Sequence, residues 1–281
     1  MKLKFTKMHG IGNDYIYFNC LGGELSDPSA VAVALSPRRF SVGADGIVMI
    51  CPSAVADAKM RMFNADGSEG KMCGNAIRCV GKYLYDNGIV RREQIAIETL
   101  SGVKSLVLSA EGGTVHSVTV DMGIASVRPA DVPVLSEKPM IGAEVQAEGG
   151  AVRMTAVSVG NPHAVLFLPE IRSLDLEAIG PGYERHPLFP DRVNTEFARV
   201  VSRDLIEMRV WERGSGETYA CGTGACATAV AAVLNGYADY ETPVCVRLTG
   251  GDLTIEVKRD LRVFMTGTAT KVYDGELDYE D

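Results

Sequence analysis

Apolar and polar positions alternate along KMRMF (59–63) and again along EMRVW (207–211), the period-two pattern of half-buried strands. The same alternation marks QIAIETL, KSLVLS and VHSVTVDMG after the first of these segments, and PVCVRLT, LTIEV and RVFMTG after the second. Between strand groups the pattern changes. AIRCVGKYLY (76–85) and GACATAVAAVLN (224–235) are apolar on nearly every face, which predicts helices buried all round. Asn75 and Thr223 suit their N-caps, while Gly88 and Gly236 suit the first position past their C-termini. A helix buried on all sides needs strands wrapped around it.

The two strand and helix groups are one pattern used twice. At an offset of 148 residues, the separation of Cys73 and Cys221, Gly12-Asn13 falls on Gly160-Asn161, Met60-Arg61 on Met208-Arg209 and Glu69 on Glu217. The same offset aligns Cys73-Gly74 with Cys221-Gly222, Asn87-Gly88 with Asn235-Gly236, and Leu100 and Gly102 with Leu248 and Gly250. Phe63 meets Trp211 and Asn64 meets Glu212. An internal repeat is the simplest account. The expected fold is α+β: two pseudo-symmetric domains, each a curled, mainly antiparallel, barrel-like sheet around a central buried helix, with the active site in the cleft between them. The expected boundaries are 1–126 plus 264–281 for the first domain, the last strand returning to it, and 127–263 for the second.

Bulk properties narrow the function. At 281 residues the chain has room for two domains, and 46% hydrophobic against 23% charged residues argues against disorder. A net charge of −8, with Lys and Arg scattered, disfavours nucleic acid as a partner. The N-terminus MKLKFTKMHG has no apolar stretch behind its basic residues, and no segment reaches membrane-span length, so a cytoplasmic protein without a membrane partner is expected. Seven cysteines fit no disulfide framework here; Cys20, Cys51, Cys79, Cys226 and Cys245 read as small buried hydrophobes inside apolar runs. Cys73 and Cys221 are left for chemistry.

A cysteine just before a helix N-terminus lies near unpaired N–H groups and the positive end of the dipole, which favour thiolate. The same N-termini, with Gly74 and Gly222 allowing close approach, can hold a carboxylate. Inverting a carbon stereocentre needs one group to take a proton from one face and another to give a proton to the other. Two thiols presented from related halves can do both near neutral pH.

KMHGIGNDYI, FNADGSEGKMCGNAIRC, SVGNPHAV, RVNTEFA and WERGSGETYACGTGACA, in this order and spacing, together resemble the diaminopimelate epimerase family over the whole chain. The resemblance implies epimerisation of LL-diaminopimelate to the meso form, for lysine and peptidoglycan synthesis, with no cofactor and no metal, in a homodimer. It implies that Cys73 and Cys221 are the acid and base, with His163 and Glu212 supporting them. Asn13, Asn64, Asn161, Asn194, Glu212 and Arg213 match contacts to the distal end of the substrate, and Gly74, Asn75, Gly222 and Thr223 match the loops that hold the α-carboxylate. These roles suit a substrate whose distal end is itself an amino acid, since Arg213 can clamp a carboxylate and the amides can bond either charged group. In SVGADGIVM, Gly46 stands where many relatives carry glutamine, which puts that one contact in doubt; Ala76 in CGNA departs from CGNG.

Other readings fit less well. Proline-racemase-like enzymes share a cysteine pair, but Glu212, Arg213 and the asparagine set favour a diacidic diamine; phenazine-biosynthesis isomerases keep the double fold without the pair. A zinc or redox protein lacks Cys-x-x-Cys spacing, and GSGETYACGTG lacks the phosphate-loop lysine. Arg61 and Arg209 read as strand-edge ion pairs, Trp211 as core beside the site, and His9 as structural.

Overall fold

The structure, a computed structural model, describes residues 2–147 and 150–279. The chain forms two compact units, Met1–Val120 with Gly267–Asp281, and Asp121–Thr266.

The first unit opens with β1 (Lys2–Gly10), β2 (Asn13–Asn19), α1 (Pro28–Leu35), β3 (Gly46–Cys51), β4 (Ala58–Asn64) and β5 (Glu69–Gly70). It continues with α2 (Gly74–Asp86), β6 (Gln94–Thr99), β7 (Gly102–Glu111) and β8 (Thr114–Ile124), the last of which runs past Val120 into the second unit. β1 pairs antiparallel with β2, β2 parallel with β3, β3 antiparallel with β4, β4 parallel with β6, and β6 antiparallel with β7. Parallel neighbours require a crossover, and a helix supplies each one: α1 between β2 and β3, α2 between β4 and β6.

The second unit repeats this scheme. It runs β9 (Ala143–Ala147), β10 (Gly150–Ser158), β11 (Pro162–Phe167), α3 (Leu176–Glu184), β12 (Asn194–Ser202), β13 (Leu205–Glu212) and β14 (Gly216–Thr218). Then come α4 (Gly222–Leu234), β15 (Val244–Leu248), β16 (Gly251–Val257) and β17 (Arg262–Thr268). From β10 through β11, β12, β13 and β15 to β16 the pairings are antiparallel, parallel, antiparallel, parallel and antiparallel, the sequence found from β1 to β7. β18 (Thr270–Asp278) pairs antiparallel with β1 in the first unit.

The apolar helices are buried as expected. In α2 every residue from Gly74 to Lys82, and Leu84, is buried; in α4 burial runs from Gly224 through Val233. A β-carbon on Gly81 would meet Leu108 at 2.9 Å and Leu106 at 3.0 Å, so α2 packs backbone-close on β7. Asn87 and Asn235 are the C-caps, followed by Gly88 at φ 68° and Gly236 at φ 76°. The N-caps correct the sequence reading: they are Cys73 and Cys221, two residues earlier than Asn75 and Thr223. Each sulfur accepts the backbone N–H three residues on, the job a serine or aspartate oxygen usually does.

The alternation patterns did not point to α1 and α3. Asp27 and Asp175, equivalent in the repeat, cap these two helices by accepting from the equivalent Ala30 and Ala178 N–H groups. The helices cover the second face of each sheet. Along β3 every residue is buried: Ile47, Met49 and Cys51 pack with Val31, Ala32 and Leu35 of α1, and Val48 and Ile50 face the other way. In the second unit Leu176 and Tyr183 of α3 join Leu166, Phe197 and Trp211 in one apolar cluster. Cys20, Cys51, Cys79 and Cys226 are buried and in no disulfide, whereas Cys245 is only half-buried. Among the described residues no helix is long and apolar enough to cross a membrane.

Candidate active-site residues

In the first unit the start of α2 gathers four of the expected residues. Cys73 precedes Gly74 and Asn75, and its sulfur accepts the Ala76 N–H at 3.4 Å. The Cys73 thiol donates to Asn13 Oδ1 at 3.3 Å, and Asn75 Nδ2 donates to the same oxygen at 3.4 Å. Asn13 enters from the first residue of β2. The buried Arg78 guanidinium, one turn along α2, donates to Gly74 O at 3.0 Å and Asn75 Oδ1 at 2.9 Å, fixing the loop that carries the thiol. Asn64 sits at the end of β4 and donates to Ser68 Oγ at 3.0 Å, so it belongs to the β4–β5 turn.

Gly46 is opposite Asn64 in the β3–β4 register. A β-carbon built there would lie 2.0 Å from Phe63 O, a backbone atom that cannot move aside cheaply. This strand pairing therefore requires glycine, and the position offers no side-chain contact.

In the second unit, Asn161 Nδ2 donates to Thr223 Oγ1 at 3.3 Å, and Asn161 Oδ1 lies 3.0 Å from His163 Nε2. His163 Nδ1 lies 2.6 Å from Glu196 Oε1. Cys221 Sγ accepts the Gly224 N–H at 3.3 Å and stands 3.6 Å from Thr223 Oγ1. Gly222 is the buried first residue of α4. Glu212, at the end of β13, accepts from the Thr218 hydroxyl, and its charge acts on the nearby Cys221 thiol. Asn161, His163, Glu212, Cys221 and Thr223 thus form one cluster.

Asn194 and Arg213 form another. Asn194 Oδ1 accepts the Arg213 N–H at 2.8 Å and its Nδ2 donates to Pro162 O at 3.1 Å, while Arg213 Nη1 donates to Asp191 O at 2.8 Å. Glu184 of α3 accepts from Trp211 Nε1 at 2.8 Å and from Gly214 N at 3.2 Å, holding the turn on both sides of Arg213. Below the turns, Arg61 pairs with Glu69 and Arg209 with Glu217, both at 2.8 Å, as their equivalence in the repeat suggests. His9 Nδ1 accepts the Gly12 N–H at 3.2 Å, a structural contact.

The electrostatics overturn one expectation. Burial, then the Glu212 and Glu196 carboxylates, push the Cys221 thiol well above its ordinary range, against the lowering by the Thr223 hydroxyl and the Gly224 N–H. The helix N-terminus does not by itself hold Cys221 as thiolate. Burial also raises the Glu212 carboxyl, against the lowering by the Thr218 hydrogen bond and by the nearby His163 and Cys221. A buried carboxyl and a buried thiol here share an environment in which two negative charges are unfavourable together.

Sequence reasoning missed Asp45, Glu196, Glu184 and Thr218. Glu196 had a visible signal, a lone acid between Thr195 and Phe197 in a strand that is otherwise apolar or neutral at its start. Asp45 lies in the bend before β3, outside any periodic segment that would mark it.

Comparison with known proteins identifies the lineage of this arrangement. The family model described as diaminopimelate epimerase matches residues 5–127 and 155–272. The diaminopimelate epimerase of Acetivibrio thermocellus is 52% identical over 281 residues, covering 99% of this chain and 100% of the relative. That of Desulfovibrio desulfuricans is 54% identical, with 98% of each chain covered. A hydroxyproline epimerase from Agrobacterium vitis, solved with trans-4-hydroxy-L-proline, shares the fold at a TM-score of 0.73 with 17% identity, covering 100% of this chain and 93% of that one. With both matched segments spanning the repeated halves, and half of all positions shared with full-length relatives, the chain belongs to the diaminopimelate epimerase family.

Proposed function

We propose that this protein is an isomerase that interconverts LL- and meso-diaminopimelate by proton transfer at one α-carbon, using Cys73 and Cys221 as alternating base and acid without pyridoxal phosphate or metal. The observation that carries this reading is the equivalence of the two thiols. Each is the N-cap of the most deeply buried helix of its unit, and each is followed by a buried glycine. A thiolate on one face of the carbon removes the α-proton while the thiol on the other face delivers one, so the configuration inverts and the pair exchanges roles. The helix N-termini at Gly74–Asn75 and Gly222–Thr223 suit the α-carboxylate, and their positive dipole ends offset part of the cost of the negative charge that develops beside it.

Asn13, Asn64, Asn161, Asn194, Glu212 and Arg213 are the proposed contacts to the distal amino-acid end. Such a set discriminates against substrates lacking that end, since their binding would leave polar groups unpaired. His163 and Glu212 are the proposed supports of the thiols. The reading extends to a cytoplasmic homodimer, for which sedimentation of the purified protein should give twice the chain mass.

The direct test is incubation of the full chain with LL-diaminopimelate in D2O with no added cofactor, followed by chiral separation and mass analysis. Meso product carrying one deuterium at the inverted carbon is expected. Inversion of proline or trans-4-hydroxyproline in place of diaminopimelate would shift the assignment to the proline-racemase-like class, and no inversion of any of the three would remove it.

A further inference from the structure

Asp45 lies in the turn before β3, and an ionised carboxylate can only accept hydrogen bonds. Its Oδ2 takes Asn13 Nδ2 at 2.7 Å and the Asp14 N–H at 3.2 Å, and its Oδ1 takes Arg38 Nη2 at 2.7 Å. Arg38 also grips Asp14 through both Nη atoms, at 2.6 and 3.1 Å, and the buried Lys7 ammonium lies 2.6 Å from Asp14. Burial works to raise the Asp14 carboxyl, but hydrogen bonds and charge from Arg38 and Lys7 hold it below the usual carboxylate range. Asp45 is therefore fixed in an ionic frame.

An amide has one donating and one accepting end. With its NH2 committed to Asp45, Asn13 must turn its carbonyl oxygen the other way, and there that oxygen meets Cys73 Sγ at 3.3 Å and Asn75 Nδ2 at 3.4 Å. Ala76 N–H approaches the same sulfur at 3.4 Å. The thiol proton is thus aimed along one direction and the sulfur lone pair along another. A carbonyl oxygen against sulfur favours S–H over thiolate, because the ionised form would place two electron-rich atoms face to face. The second unit does this differently: Val193 stands at the position equivalent to Asp45, and the amide of Asn161 is oriented by Thr223 and His163.

We propose that Asp45 is a positioning residue for Cys73: by locking the amide of Asn13, it holds the proton on the Cys73 sulfur and sets its direction. This rests on Cys73 being an acid–base group, but its test does not depend on turnover. The titratable and charged neighbours include Tyr17, Cys79 and the Arg78 guanidinium at the Cys73 end, and Asp14, Lys7 and Arg38 at the Asp45 end.

The experiment is alkylation of the full chain by iodoacetamide at pH 7, read at individual cysteines by peptide mass mapping, in wild type, Asp45→Asn, Asn13→Ala and the double variant. Asp45→Asn allows the Asn13 amide to turn and offer its NH2 to sulfur. Cys73 should then react roughly three- to tenfold faster, a shift of about half to one unit in thiol acidity, while the half-buried Cys245 keeps its rate. In the Asn13→Ala background the Asp45 substitution should change nothing further, the coupling a double-mutant cycle isolates. Asp45→Ser, which also removes the charge, serves in the same way should Asp45→Asn not accumulate as folded protein. An unchanged Cys73 rate, a parallel rise at Cys245, or an undiminished Asp45 effect without Asn13 would each overturn the proposal. A wild type that leaves diaminopimelate unchanged would remove the functional reading and leave the alkylation result standing.

Discussion

His163 and Glu196 meet at 2.6 Å, ring Nδ1 to carboxylate Oε1, with both side chains fully buried. Removing one partner of such a contact leaves the other a buried polar group without its hydrogen bond, a loss of roughly 1–3 kcal/mol. Glu196→Ala should therefore lower the melting temperature by several degrees, whereas Glu196→Gln, which keeps an acceptor oxygen, should lose less. Since the ring stands in the Cys221 cluster, kcat should fall further than KM rises in both. Melting of Glu196→Ala indistinguishable from wild type would show that the pair contributes nothing to stability.

Cys73→Ala and Cys221→Ala should each lower epimerisation by roughly 10²–10⁴-fold, the usual reach of a positioned acid or base, with the protein still folded. Alanine is a small loss at either N-cap, about 1 kcal/mol, so melting can be checked independently. Near wild-type inversion in either variant would remove the two-thiol mechanism.

Arg213 tests recognition apart from chemistry. Its backbone N–H is pinned by Asn194 and one guanidinium nitrogen by Asp191 O, so the side chain is held before any ligand arrives. Lysine keeps the charge and loses the fork. Arg213→Lys should raise KM for diaminopimelate roughly ten- to a hundredfold, the value of about 1.5–3 kcal/mol for a charge-assisted hydrogen bond, with a smaller fall in kcat. An unchanged KM would place the distal carboxylate elsewhere.

The legible parts of this fold are those written in local periodicity or written twice. The strands around Met60 and Met208, and the buried helices behind Cys73 and Cys221, follow from alternation and all-round apolarity. The short helices α1 and α3 were harder, because PSAVAVAL and LEAIGPGYE carry weak signals of their own; the equivalent aspartates Asp27 and Asp175 were the available clue. The N-cap reading favoured Asn75 and Thr223 on side-chain preference, whereas sulfur accepted the bond two residues earlier. The thiolate expectation for Cys221 failed for a non-local reason. The helix N-terminus is visible in sequence, but burial and the approach of Glu212 and Glu196 arise only when β12, β13 and α4 pack together.

That packing makes Glu212 the lever for Cys221. Burial is the larger cause of the raised thiol, and the Glu212 charge comes next. Glu212→Gln removes the charge and keeps a group able to hydrogen-bond Thr218, so the thiol should become more acidic and react faster with methyl methanethiosulfonate, roughly three- to tenfold at pH 8. The sign of the pH dependence follows from the carboxyl itself. Burial raises the Glu212 pKa, so the carboxyl is neutral at pH values below its raised titration and repels a thiolate only above it. The ratio of variant to wild-type reactivity at Cys221 should therefore approach one as pH falls and reach its full size as Glu212 ionises. Epimerisation by Glu212→Gln should meanwhile fall, because a thiol that is easier to ionise gives a thiolate that is a weaker base. A reactivity ratio of one at every pH, or one that does not fall as the pH is lowered, would show that Glu212 does not control this thiol.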